Sequence, residues 1–137
     1  MPTTIGSAGG GGGGGGAATG GAGSLAVLTG ADLTSGTDEN IGDVVGTGKV
    51  WICTGFMARI VSRTGGTALS SLGLKGDAVT IMDSYADLDL DTVGEVVQFK
   101  KSIVIAAGVQ VKLLKGVASD ASPHTANITL MGYEEDA

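Results

Sequence analysis

The chain has 137 residues, 42% of them hydrophobic but only 4% aromatic, so its core must come from Val, Ile, Leu and Ala, with little ring surface to bury. A formal net charge of −6 argues against binding the phosphate backbone of nucleic acid, which needs a basic face. No apolar run approaches the ~18 residues that cross a bilayer, and the lone Cys53 can form neither an intrachain disulfide nor a multi-cysteine metal site within one subunit. The opening MPTTIGSAGG has neither the charged nor the apolar region of a secretory signal, so folding in a reducing cytoplasm is expected.

Composition divides the chain into an arm, residues 1–23, and a folded domain, residues 24–137. After Ile5 the arm is Gly, Ala, Ser and Thr only, with an unbroken run of Gly9, Gly10, Gly11, Gly12, Gly13, Gly14, Gly15 and Gly16. Glycine loses more backbone entropy on ordering than any other residue. The arm is therefore expected to be either a plain linker or an extended strand held by a partner surface, where the absence of side chains permits close approach.

The domain opens with a short apolar strand, SLAVLT (24–29), ended by Gly30. Residues 31–48, rich in Asp, Gly, Thr and Asn, suit a long loop or a weak edge strand. The principal strand is Lys49 to Arg63, KVWICTGFMARIVSR, the longest stretch dense in β-branched and aromatic residues. Simple alternation puts Val50, Ile52, Phe56, Ala58 and Ile60 on one face and Lys49, Trp51, Met57, Arg59 and Arg63 on the other, with Gly55 marking a bulge or bend. RTGGT (63–67) supplies a turn, and a hairpin is expected to return through Leu69, Leu72 and Leu74. Another short strand covers residues 78–82. In DSYADLDLD (83–91), Ser84 is a possible cap for a single helical turn, the alternative being a surface loop with two leucines tucked inward. The β pattern resumes as EVVQF, SIVIAAG and VQVKLLKG, and a final strand sets Ala126, Ile128, Leu130 and Gly132 against Asn127, Thr129 and Met131.

Seven or eight short strands with regular turn signals and almost no helix predict an all-β fold, an antiparallel β-sandwich. The spacing favours a jelly roll over an immunoglobulin-like arrangement, which would want paired cysteines around a tryptophan.

Chemistry is sparse. Asp83, Asp87, Asp89 and Asp91 have the alternate spacing of a calcium loop but lack its central glycine and terminal glutamate. His124, expected in a loop, is the only histidine; it would need copies meeting on a symmetry axis to bind zinc. Ser119, Asp120, Ser122 and His124 contain the residue types of a nucleophilic triad, but crowded in one polar loop, and such triads are defined by geometry. The glycine run lacks the GK[ST] ending of a phosphate loop. No catalytic residue, metal site or cofactor is assigned, and an enzyme is not expected. Trp51, Met57, Arg59 and Arg63, together with the run Gly9–Gly16, are the expected interface residues, because interfaces favour aromatic, Met and Arg side chains.

VWICTGFMARIVSRTGG, SLGLKG, IAAGVQVKLLKG and ANITLMGYEE resemble segments of small virion structural proteins of tailed bacteriophages. The similarity spans about residues 49–134 and contains no catalytic or ligand residue. It implies a capsid decoration (cement) or head-fibre protein, commonly trimeric, that binds the major capsid protein or another virion protein and ends up in the virion after synthesis in the host cytoplasm. The alternative it implies is a tail fibre or adhesin component contacting a host receptor. Neither nucleic acid nor membrane is an expected partner.

Overall fold

The computed structural model describes residues 23–67 and 70–137. The expectations placed on the run Gly9–Gly16 and on Leu69 fall outside these residues. The described chain forms eight strands: β1 (Ser24–Asp32), β2 (Glu39–Asn40), β3 (Lys49–Arg63), β4 (Ser71–Gly76), β5 (Val79–Ala86), β6 (Val96–Ile105), β7 (Val111–Val117) and β8 (His124–Asp136). One 3-10 turn, Leu88–Asp91, sits between β5 and β6.

The strands make two four-stranded antiparallel sheets, ordered β1-β8-β3-β6 and β2-β7-β4-β5. This is the β-sandwich expected from the strand pattern. Pairing is nested: the first strand lies beside the last, the second beside the seventh, the third beside the sixth and the fourth beside the fifth. The core between the sheets is aliphatic, as the composition requires, with Trp51, Phe56 and Phe99 as its rings. Phe56 and Phe99 pair across β3 and β6 with ring centroids 4.5 Å apart, and the edge of Tyr85 meets Phe99 at 6.0 Å.

β3 is bulged twice, and this corrects the expected faces. Between Cys53 and Gly55, β8 advances by one residue (Gly132 to Met131) while β6 advances by three (Ile103 to Lys100). A second register shift lies between Ile60 and Ser62. Each extra residue reverses the alternation, so the inward set is Trp51 and Cys53, then Phe56, Ala58 and Ile60, then Arg63. Simple alternation fails twice within one strand.

Backbone crowding enforces the first bulge. Gly55 and Gly132 have φ of +135° and +139°, where a side chain is strained, and a Cβ would sit 2.0 Å from the Phe99 carbonyl oxygen at Gly55 and 2.1 Å from that of Ile52 at Gly132. Only glycine fits either place.

Three further expectations are corrected. The RTGGT turn does not make a hairpin: β3 and β4 belong to different sheets, and Thr64 instead exchanges backbone hydrogen bonds with the segment before β8. Turn residues reverse a chain without choosing its partner. The expected strands EVVQF and SIVIAAG merge into one continuous strand, β6 (VVQFKKSIVI), because a bulge absorbs Lys100–Ser102 without breaking it. The 3-10 turn is capped by Asp87, whose carboxylate accepts from the Asp89 N–H, while Ser84 lies within β5; Leu90 is buried and Leu88 is not.

Candidate functional site: the outer face of the first sheet

Because the inner faces of both sheets are consumed by the core, interaction chemistry must be sought on outer faces and edges. The register places three rows across the outer face of β1-β8-β3-β6. They run Ser24, Met131, Gly55, Lys100; then Val27, Thr129, Met57, Gln98; then Asn127, Arg59, Val96. None of these residues is acidic, although the chain carries 14 Asp and Glu. Val27 and Val96 are exposed, Met57 and Met131 half-buried, and Arg59 exposed. The central rows of this face, with methionine and arginine and no carboxylate, are suited to packing on another protein. The same register puts Glu135, opposite Val50, and Asp32, opposite Thr125, toward the two ends of the face. Gly55 leaves a shallow depression in it of about 160 Å³, bordered by Thr54, Lys100 and Met131.

Of the expected interface residues, Met57 and Arg59 lie on this face. Trp51 does not: it is fully buried, and its indole Nε1–H donates to the Glu134 carboxylate at 3.1 Å. Arg63 is also turned inward, donating from Nη1 to the Asp91 carbonyl at 3.2 Å with the Asp91 carboxylate 3.6 Å away. The bulges are the physical reason for both corrections, since each moves an odd-numbered residue to the core side. The sequence signal for the first was Gly55; nothing local marked the second.

The polar groups that sequence pattern brought forward are structural. His124 is the first residue of β8 rather than part of a loop, and it is fully buried. Its Nε2 lies 2.8 Å from the Leu90 carbonyl, which makes it the donor there, and Nδ1 lies 3.4 Å from the Ser70 hydroxyl. Buried and engaged at both ring nitrogens, it is not placed on a surface that could meet a symmetry axis. Ser119 accepts from the Ala121 N–H, and Asp120 accepts from the backbone and hydroxyl of Thr67, so both hold the turn before β8. Among the described residues no three His, Cys, Asp or Glu side chains gather as a metal site, and the four aspartates of residues 83–91 are accordingly dispersed. Cys53 is buried and its thiol donates to the Gly55 carbonyl at 3.5 Å; burial raises the thiol pKa above the ordinary value, which leaves it a weak nucleophile.

Two further features carry no expectation from the sequence. Lys115, on the inward side of β7, has a side chain only 1% exposed; its Nζ donates to the Asp32 carbonyl at 2.8 Å and to Glu39 at 2.7 Å. The alternation of VKLLK put Lys115 in phase with Val111 and Leu113, which was the available clue. The second feature is the opposite lateral side, where β5 and β6 leave an apolar groove of about 350 Å³.

No protein-family model matches the chain, and no curated protein matches it significantly.

Proposed function

We infer that the protein is a non-enzymatic structural subunit of a virion, one that decorates and stabilises a phage capsid by binding the assembled shell as an oligomer, most naturally a trimer. We read its nested strand order as the jelly roll, a hairpin of eight strands rolled into two sheets. The observation that carries the function is the centre of the outer face of β1-β8-β3-β6, three rows without a carboxylate around Met57 and Arg59 in a chain of net charge −6. No acid–acid repulsion between copies arises across those three rows. The resemblance to small virion proteins of tailed phages supplies the setting.

The test is occupancy on shells that lack the protein. Met57→Glu combined with Arg59→Glu places two carboxylates in the middle of the face, away from the core, and is expected to reduce co-sedimentation with shells by about tenfold or more. Unchanged occupancy would remove this face from the function. Antibody labelling of intact particles separates the capsid reading from the tail fibre or adhesin alternative, and native mass spectrometry should find a particle of three 13.4 kDa chains.

A further inference from the structure

The side of the sandwich between β5 and β6 opens as an apolar groove. Val79 and Val104 stand at its mouth, 67% and 68% exposed, and Ile81 and Val109 line its walls half-buried. For scale, a cavity of ~150 Å³ accommodates a benzene ring, so a groove of about 350 Å³ has room for a branched aliphatic side chain.

A second copy is a poor occupant. The free edge of β6 carries Lys100 and Lys101, and like charges in the middle of an edge oppose pairing with an identical strand. A segment of the chain itself is better matched. Between Pro2 and Gly23 there is one large aliphatic residue, Ile5, with Pro2–Thr4 before it and only small residues after it. The chain outside the structure joins the domain at Gly23, whose carbonyl accepts from the Gly132 N–H. Gly132 pairs with Cys53, and Cys53 with Ile103, so Gly23 lies in the row that ends next to Val104. Three strand spacings separate the two ends of that row, about 14 Å. A Gly-rich chain of the length between Ile5 and Gly23 has a root-mean-square span of about 23 Å. The reach fits without being stretched, and the direct path crosses the depression that Gly55 leaves in the outer face.

We propose that the groove between β5 and β6 is the seat of the chain's own Pro2–Ile5 segment, with Ile5 entering between Val79 and Val104 and the glycine run acting as the tether. The tether then sets a high local concentration of Ile5 at its own groove, which favours closure within one chain over exchange between chains.

The test uses the full chain with Cys53→Ser, so that only introduced thiols react. Ile5→Cys is combined either with Val79→Cys at the groove or with Val27→Cys, an exposed position on β1 close to Gly23. An arm without a seat would find Val27 at least as fast. The expected result is intrachain disulfide formation about tenfold faster with Val79→Cys than with Val27→Cys at micromolar protein. Equal rates, faster reaction at Val27, or links formed only between chains would overturn the assignment. A measurement that leaves Cys53 in place is methyl NMR of the otherwise native chain: Ile5→Asp should shift the Val79, Val104 and Val109 methyls and leave Val27 unmoved. Unmoved groove methyls would sink the proposal.

Discussion

The two lateral sides of the sandwich finish differently: strands of 9 and 2 residues edge one side, strands of 8 and 10 the other. Where β1 and β2 face each other, the gap is bridged by the buried Lys115 ammonium, which holds the Asp32 carbonyl and the Glu39 carboxylate, while the same carboxylate accepts from the Asp32 N–H at 2.9 Å. Leu33 and Ser119 add a backbone hydrogen bond of 2.7 Å, and Leu33 bonds to the His124 carbonyl. Where β5 and β6 face each other no such bridge is present among the described residues, and Val79, Leu88 and Val104 are exposed. A charge buried with two partners closes one side; on the other, the described residues leave apolar side chains exposed. Closure and availability are thus divided between the two edges of one small core.

The largest expected effect falls on the centre that both sides share. Gly55→Ala would push a Cβ into the Phe99 carbonyl and break the bulge that splays β8, β3 and β6, so a loss of about 4 kcal/mol or failure to fold is expected in urea unfolding. Hydrogen exchange in that variant should rise on both lateral sides alike. A loss confined to one side would show that the two sides do not depend on a common bulge.

Next comes the closed side alone. Lys115→Ala leaves a carbonyl and a carboxylate without their buried donor and should cost about 3 kcal/mol, the low end for a broken buried pair because Glu39 keeps some contact with water. Faster exchange should be confined to residues 32–40. Leu88→Ser on the open side, where 72% of the residue is already exposed, should stay within about 0.5 kcal/mol. Equal losses from the two would erase the contrast.

The smallest effect is a pH response, also on the closed side. Asp32 has its carboxyl held below the usual value, first by the Thr34 hydroxyl at 2.6 Å and then by the Thr34 N–H at 2.9 Å. A group with a lowered folded pKa contributes stability that is complete above its unfolded value, about pH 4, and is lost as the pH falls through the folded value. Exchange protection at Thr34 should therefore decline below about pH 4, and Asp32→Asn should remove that decline while keeping an acceptor for Thr34. A decline that persists in Asp32→Asn would assign the acid response elsewhere.

Much of this was legible residue by residue. Alternation identified the last strand correctly: Ala126, Ile128 and Leu130 are buried and Asn127, Thr129 and Met131 are not. Gly55 announced a bulge, but its consequence for Trp51 was not visible, because parity past a bulge depends on how many residues each neighbouring strand advances. Met57 and Arg59 were placed on the outer face and Trp51 and Arg63 misplaced by the same rule applied through two irregularities. His124 looked like a loop residue because Pro123 precedes it and polar residues surround it; its burial comes from the Leu90 carbonyl and Ser70, 34 and 54 residues away.

By itself the sequence determined the class of structure, since strand period, β-branched content and glycine-marked turns are local properties that each segment carries wherever it is placed. It also determined that the core would be aliphatic. Only the tertiary structure decided which strands became neighbours, which side of the sandwich closed and which stayed open, and which of four interface residues reached solvent. Those outcomes depend on contacts between residues up to about a hundred positions apart, such as Gly30 with Asn127, and on a backbone crowding at Gly55 that exists only once three strands lie side by side.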